Sequence, residues 1–185
     1  MPTPARTSID GIVAAGRTIL DAQGLEGLTM SGVAAAVGVR PPSLYKRVRG
    51  RAELVRLIAN AIAGELTLAL EAAAGTGDAA ADLRAIAVAF RGWALAHPEA
   101  YHLLFDRLPE GERVDPDVNA RSAAALLRTA AELAGTEHAL EASRTIVAWA
   151  TGFVNMELAG AFRLGGDVDA AFDFGVERLT RAIRD

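Results

Sequence analysis

The chain has 185 residues, of which 51% are hydrophobic and 5% aromatic, and this length suits one large domain or two small ones. It contains no cysteine, which excludes disulfides, thiolate nucleophiles and zinc–thiolate sites. The net charge of −4 by itself argues against a nucleic-acid partner, but residues 1–56 carry eight basic and four acidic side chains, while residues 57–185 carry eleven and nineteen. A basic head on an acidic body can bind a polyanion in a single orientation.

Charged residues interrupt each apolar run before it reaches the roughly 20 residues of a membrane span. The N-terminal stretch also lacks the apolar core of a signal peptide. We therefore expect a soluble, cytoplasmic protein. Residues 1–7 hold two prolines and two threonines without periodicity, which predicts a flexible arm.

Apolar periodicity and capping residues predict three helices in the first 50 residues. They cover Ser8–Gln23, Met30–Val37 and Ser43–Val48. Ser8 is the predicted N-cap of the first helix and Gly24 its predicted stop. Thr29 caps the second helix, and Gly38 ends it because glycine adopts a positive φ at little cost. Leu44 and Val48 face inward in the third helix, which leaves its basic side chains outside. Two short helices joined by a tight glycine turn, the second one basic, are typical of a helix-turn-helix that reads the DNA major groove.

The remainder of the chain also predicts helices, separated by glycines, prolines and polar stretches. They are Arg51–Ala74, a helix capped by Asp78 that runs to Ala96, Glu99–Asp106, Asp117–Ala134, Glu137–Arg163 and a last helix capped by Asp167. No segment predicts a strand. The fold class is therefore all-α with about nine helices: a three-helix DNA-binding domain over residues 1–50 and a helical ligand-binding and dimerisation domain over residues 51–185.

Several short runs together carry a family resemblance. They are Leu28-Thr29-Met30, Val33-Ala34, Gly38-Val39, Ser43-Leu44-Tyr45 and Arg51-Ala52-Glu53-Leu54. In this order and spacing they resemble the TetR family of bacterial transcription regulators. A second set resembles the subgroup whose ligand domain is named for a Trp-His-Gly signature, with Thr151 where that signature has histidine. Its members are Trp93-Ala94, His97-Pro98, Tyr101, Leu104, Phe105, Trp149 to Gly152, Glu157-Leu158 and Phe162.

The resemblance implies a homodimer with DNA-binding domains at one end and ligand pockets in its body, in which ligand binding shifts the separation of the two recognition helices. For dimerisation we expect Glu141–Leu164 and Val168–Arg184, whose apolar stripes are wide and whose small residues permit close helix approach. The alternative is that both segments are buried within one protomer.

The expected DNA contacts divide into positioning and reading. The phosphate contacts are Thr29, Tyr45, Lys46, Arg47 and Arg51, and the base contacts are Arg40, Pro41 and Ser43. An arginine can bridge O6 and N7 of guanine, although Arg40 could equally pair with a phosphate. A dimer would place its two recognition helices one turn of DNA apart and so prefer an inverted-repeat operator.

The large side chains of the second half are the candidates for a ligand pocket that accepts a small apolar effector. They are Trp93, His102, Phe105, Trp149, Phe153 and Met156. For each of them the alternative is an ordinary core position. Glu157 interrupts an otherwise apolar helix, and is either exposed or the polar group of such a pocket. No cofactor and no metal site are predicted.

The leading hypothesis is a ligand-responsive, sequence-specific DNA-binding repressor, although an activator would have the same sequence features. A helical protein-interaction module without DNA binding is the alternative. An enzyme is disfavoured because the chain has no Gly-rich phosphate loop, no HExxH and no nucleophile elbow, and its three histidines form no metal-ligand pair at i, i+4.

Overall fold

A computed structural model describes residues 8–184 of the chain. Its α-helices are α1 (Ile9–Gly27), α2 (Met30–Ala36), α3 (Pro41–Leu44), α4 (Arg51–Ala73), α5 (Ala79–Ala96), α6 (Pro98–Phe105), α7 (Pro116–Ser122), α8 (Ala124–Ala134), α9 (Ala139–Leu158) and α10 (Val168–Arg184). A 3-10 helix (Glu110–Glu112) lies between α6 and α7. Residues 8–184 contain no strand, so the all-α prediction is confirmed. The predicted flexible arm, residues 1–7, lies outside the described residues.

None of the helices within residues 8–184 combines the length and the apolar character that crossing a membrane requires.

The chain divides into two compact units by its internal packing. Among the described residues, the first unit consists of residues 8–64 and 97–119, and the second of residues 65–96 and 120–184. Helix α4 belongs to the first unit up to Gly64 and to the second from Glu65. The predicted domain boundary after Gly50 stays a prediction.

In the first unit, α1 packs against α2 and α6. Ser8 accepts a hydrogen bond from the Gly11 amide at 3.1 Å, so the predicted N-cap of α1 is confirmed. Gly24 has a φ of 68°, which kinks the helix where a stop was predicted. Gly16 allows a close approach between α1 and α4, because a Cβ there would lie 2.4 Å from Cδ1 of Ile58.

In the second unit, α5, α8, α9 and α10 pack against one another. Ala87, Phe172 and Val176 are buried together, and Trp149 and Phe153 pack against them. Gly175 makes room for the indole of Trp149, since a Cβ at that position would lie 2.3 Å from Cζ2 of the ring. The core of this unit is therefore aromatic where α9 meets α10.

Apart from α1, three predicted helices differ from the structure by more than one residue at an end or by an interruption. The predicted helix Asp117–Ala134 is interrupted at Ala123, where neither glycine nor proline marks the break. The predicted helix Glu137–Arg163 ends earlier, at Leu158, because Gly160 takes a φ of 61° and its amide donates to the Glu157 carbonyl at 2.9 Å. The third helix is Pro41–Leu44 rather than Ser43–Val48, since its two prolines occupy the first turn.

Candidate nucleic-acid interface

The turn between α2 and α3 is built by Gly38. This glycine has a φ of 75°, and its amide donates to the Ala35 carbonyl at 3.0 Å. The next amide, of Val39, donates to the Ala34 carbonyl at 2.9 Å. These two hydrogen bonds form a Schellman motif, which satisfies the last carbonyls of α2 and redirects the chain toward α3. The predicted role of Gly38 is confirmed.

Helix α3 is anchored by two apolar side chains. Leu44 is 1% exposed and Val48 is 0% exposed, as the four-residue spacing predicts. The helical turn continues past α3, because the amide of Val48 donates to the Leu44 carbonyl at 3.0 Å. Both anchors point into the first unit, so the side chains between them are held outside.

The remaining side chains of this segment are exposed. They are Arg40, Pro41, Pro42, Ser43, Tyr45, Lys46 and Arg47. Tyr45 retains 52% of its surface, which excludes an inward packing of its ring within the first unit. Within residues 8–184, Arg40, Lys46 and Arg47 form no ion pair, so their charges face solvent. The structure thus presents together six of the eight residues predicted to contact DNA.

Thr29 lies at the start of α2 and is exposed. Its Oγ1 accepts a hydrogen bond from the Gly32 amide at 3.0 Å, which confirms its role as N-cap. A hydroxyl that accepts in this way still has its own proton to donate. Thr29 can therefore cap the helix and donate to a phosphate oxygen at the same time.

Arg51 differs from the other predicted contacts, because its guanidinium is bound by groups of the protein itself, although its side chain is 40% exposed. Its Nη2 donates to the Leu25 carbonyl at 2.8 Å and its Nε to the Leu28 carbonyl at 3.0 Å. Its Nη1 lies 3.1 Å from Oε1 of Glu112. This role could not be predicted from the sequence, because Glu112 is 61 residues away and nothing local connects the two. These contacts disfavour the predicted phosphate contact of Arg51, which stays a prediction.

The acid nearest to this segment in the chain is also engaged. Oε2 of Glu53 accepts a hydrogen bond from the Arg49 amide at 2.6 Å. Glu53 thereby caps the start of α4, and its Oε2 lies 4.0 Å from Nε of Arg49, whose side chain is 94% exposed. Among residues 8–184, Arg40, Lys46 and Arg47 are the basic residues of this segment that form no ion pair.

The six residues predicted to line a ligand pocket belong to both units. His102 and Phe105 lie in the first unit, where Phe105 stacks on buried Tyr101 with 5.0 Å between ring centroids. Burial, with a smaller contribution from the Asp106 carboxylate, raises the pKa of Tyr101 to about 12. Trp93, Trp149, Phe153 and Met156 lie in the second unit.

Trp149 and Phe153 are half-buried and pack against the core of the second unit. Their ring centroids lie 5.2 Å and 5.1 Å from that of Phe172. Met156, in contrast, is 47% exposed. Two surface grooves of this unit, of about 340 and 350 Å³, are lined by other residues, at the ends of α5, α8, α9 and α10. Such volumes fall at the small end of the range for ligand sites.

A charged pair that the sequence did not reveal lies beside these aromatics. Arg91 on α5 donates from Nε to Oε2 of Glu157 at 2.7 Å and from Nη2 to Oε1 at 2.6 Å. Its Nη2 also donates to Asp169 at 2.6 Å, and its guanidinium lies 4.9 Å from the centroid of Phe172. The hydrogen bonds with Glu157 raise the pKa of Arg91 above its usual range. Glu157 is neither exposed nor free for a ligand.

Two family models match this chain. Residues 12–58 match the model of bacterial regulatory proteins of the tetR family, and residues 83–179 match that of the tetracyclin repressor-like C-terminal domain. The first match covers the whole of the interface segment. Neither model is named for the Trp-His-Gly signature, and that subgroup stays a prediction.

Individual regulators are also similar to this chain, in sequence or in fold. The uncharacterized HTH-type transcriptional regulator Rv0681 of Mycobacterium tuberculosis is 32% identical over 183 residues, which cover 95% of this chain and 81% of that protein. The HTH-type transcriptional repressor DrrR1 of Streptomyces coeruleorubidus is 47% identical over 57 residues, 31% of this chain and 21% of that repressor. In fold, a TetR variant from Acinetobacter baumannii AYE in complex with minocycline has a TM-score of 0.68 at 22% identity, over 94% of both chains. The chain belongs to the TetR family of bacterial transcriptional regulators.

Proposed function

We propose that this regulator binds an inverted-repeat DNA operator as a homodimer in the cytoplasm and represses transcription until a small apolar effector is bound. The observation that carries the proposal is the segment from Arg40 to Arg47, whose basic and polar side chains are exposed while Leu44 and Val48 anchor it. A short helix held in this way can enter the major groove with its outer face against the bases.

The exposed residues divide into two proposed roles. Thr29, Tyr45, Lys46 and Arg47 contact phosphates and set the register of the protein on the duplex. Arg40, Pro41 and Ser43, at the beginning of α3, contact base edges, and the guanidinium of Arg40 bridges O6 and N7 of a guanine. Arg51 has no contact with DNA in this proposal.

Repression is supported by the likeness of this chain, over 57 residues, to the transcriptional repressor DrrR1. A small-molecule effector is supported by the shared fold with a TetR variant that holds minocycline. The proposed effector residues are those of the second half, Trp93, His102, Phe105, Trp149, Phe153 and Met156. Of these, Trp149 and Phe153 already pack against Phe172, so an effector that reached them would have to rearrange that cluster.

The proposed dimer forms through α9 and α10. Large apolar side chains of these helices are exposed in the single chain, among them Leu140 at 47%, Val147 at 41% and Phe174 at 60%. Covering them with the same helices of a second copy would remove apolar surface from water and stabilise the pair.

The experiment is selection of genomic DNA fragments by the purified protein at two salt concentrations. We expect one inverted repeat to be recovered, with binding that weakens steeply as salt rises. Arg40→Ala should lose preference at one symmetric pair of base positions, by about 1–3 kcal/mol of discrimination, while Arg84→Ala in the second unit should keep it. Recovery of no sequence above background at either salt, together with capture of a protein partner, would instead support a protein-interaction module.

A further inference from the structure

We infer that Arg51 is a positioning residue: it ties the turn that precedes α2 to the segment that follows α6, and so sets the orientation in which the helix-turn-helix meets DNA. This inference rests on the proposed function. All the residues involved lie in the first unit. The hydrogen bonds and the ion pair of Arg51 go to Leu25, Leu28 and Glu112 and to none of the proposed base contacts, so its effect on DNA passes through α2.

The first group of Arg51 contacts holds the end of α1. Gly24 kinks this helix, and the chain then turns through Leu25 and Leu28 before Thr29 caps α2. The carbonyls of Leu25 and Leu28 point at the guanidinium of Arg51, with distances of 2.8 and 3.0 Å. A cationic donor on two carbonyls of one turn makes hydrogen bonds stronger than those between neutral groups. The position of Thr29 therefore depends on the position of Arg51.

The second contact of Arg51 is with the 3-10 helix. Oε1 of Glu112 lies 3.1 Å from Nη1 of Arg51, and the Glu112 side chain is only 13% exposed. A guanidinium is planar and its donors point in fixed directions. With Nε, Nη1 and Nη2 each directed at a separate acceptor, the plane of the Arg51 side chain is determined by protein groups.

A second contact holds the same segment on α4. Asn60 donates from Nδ2 to Oδ2 of Asp115 at 2.7 Å and accepts at Oδ1 from the Asp115 amide at 2.9 Å. Nε of Arg56 lies 3.5 Å from the other carboxylate oxygen of Asp115. The chain from Glu112 to Asp115 is therefore attached to α4 at two places, about two and a half helical turns apart. A displacement of this segment must be transmitted to Arg51 or break these contacts.

If Arg51 has this positioning role, removing the charge of Glu112 should change DNA affinity in the direction opposite to that expected from electrostatics alone. Removing the negative charge of Glu112 should strengthen binding to a polyanion if only charge matters. If Glu112 orients Arg51, its removal loosens the turn before α2 and weakens DNA binding. Glu110 provides a matched control, because it lies on the same 3-10 helix, carries the same charge and is exposed.

The experiment compares Glu112→Ala and Glu110→Ala in the full-length protein. We expect Glu112→Ala to weaken operator affinity about five- to tenfold, the ratio that corresponds to the net value of one hydrogen bond, and Glu112→Gln to recover part of it. Glu110→Ala should leave affinity unchanged or slightly higher. Arg51→Gln should lower affinity with the salt slope of the wild type, whereas loss of a phosphate contact would reduce that slope by about 0.9 per protomer. Equal affinities of the two alanine variants, or a reduced slope for Arg51→Gln, would overturn the inference.

A second measurement needs no DNA and keeps the inference separate from the proposed function. Amide hydrogen exchange over residues 25–33 should be faster in Glu112→Ala than in Glu110→Ala at the same global stability. If the wild type retards no DNA but this difference is found, the proposed function fails and the positioning role of Arg51 stands. If DNA is bound and the exchange rates are the same, the positioning role fails and the proposed function stands.

Discussion

Arg91 and Glu157 face each other across α5 and α9 and form a bidentate pair, with 2.7 Å between Nε and Oε2 and 2.6 Å between Nη2 and Oε1. Their side chains are only 13% and 18% exposed. A pair so far removed from water is held by its mutual hydrogen bonds, and either partner alone would be a costly charge to bury. The pair therefore ties α5 to α9 within the second unit.

Replacing Arg91 by methionine should lower the free energy of unfolding by about 2–4 kcal/mol, because Glu157 is left without its partner in a mostly dry site. The double variant with Glu157→Met should recover much of that loss, since no uncompensated charge remains. Urea unfolding of the two single variants and the double variant measures this. Arg181→Ala is the control: it breaks a pair with Glu177 in which both side chains are more than half exposed, and should cost at most about 1 kcal/mol. The prediction would be contradicted if the double variant lost as much free energy of unfolding as the two single variants together.

Gly175→Ala should destabilise the protein by about 1–3 kcal/mol, although alanine is the better helix former. The reason is the indole of Trp149, which is rigid and would lie 2.3 Å from the new Cβ. Gly92→Ala is the matched control, because Gly92 is exposed within α5 and its Cβ would meet no atom within 4 Å. That change should stabilise by about 0.5–1 kcal/mol. Thermal unfolding of both variants shows whether each change raises or lowers stability relative to the wild type. A stabilised Gly175→Ala would show that Trp149 does not fill this space.

Asp82 closes the turn between α4 and α5. Its carboxylate accepts hydrogen bonds from the Thr76 hydroxyl at 2.6 Å, the Thr76 amide at 2.8 Å and the Gly75 amide at 2.9 Å. The hydroxyl of Thr76, and then the backbone amides of Thr76 and Gly75, lower the pKa of Asp82 below its usual value of 3.8. A lowered pKa means that the folded state favours the charged form.

The stabilisation from Asp82 should therefore be fully present above the unfolded-state pKa, and should be lost as the pH falls through the lower folded-state pKa. Asp82→Asn removes the charge at every pH. We expect the difference in free energy of unfolding between wild type and Asp82→Asn to be constant from about pH 7 to about pH 5 and to shrink below about pH 4. Urea unfolding at several pH values measures that difference. A difference independent of pH down to acid unfolding would count against a charged Asp82 as the source.

Lys46→Ala should reduce the steepness with which operator affinity falls with salt, by about 0.9 in the slope of log K against log salt for each protomer. The change should affect operator and unrelated DNA alike, since a phosphate contact reads no sequence. Fluorescence anisotropy across a salt series measures the slope. Arg84→Ala, which removes one positive charge from the second unit, should leave it unchanged. An unaltered slope for Lys46→Ala would remove that residue from the phosphate contacts.

Phe174→Glu and Val147→Glu should each weaken the proposed dimer by at least about tenfold, because an unpaired carboxylate in an apolar contact is costly to desolvate. Leu68→Glu is the control, since Leu68 is 73% exposed in the second unit but lies on α4. Sedimentation of the three variants over a range of concentrations gives their dissociation constants. A dimer that survives both changes on α9 and α10 but not the change at Leu68 would place the contact elsewhere.

The local features of the chain were largely predictable, because they depend on neighbouring residues. Ser8, Thr29, Asp78 and Asp167 cap helices as predicted, and each accepts a hydrogen bond from an amide two or three residues later. Positive φ at Gly38, and the burial of Leu44 with the exposure of Tyr45, likewise follow from residue type and helical spacing. The break at Ala123 was missed because no residue there disfavours a helix.

Sequence alone thus determined the helical class, the exposed basic segment and the TetR resemblance, since periodicity and capping are written in short stretches of chain. Tertiary structure decided which charges are available to a partner. Arg51 and Lys46 are both basic residues close to α3, yet one is engaged by Glu112 and two carbonyls while the other faces solvent. Glu157 is paired with an arginine 66 residues away. Charge pairs of this kind form between residues that only folding brings together, and the energy of such a pair depends on how far folding removes it from water.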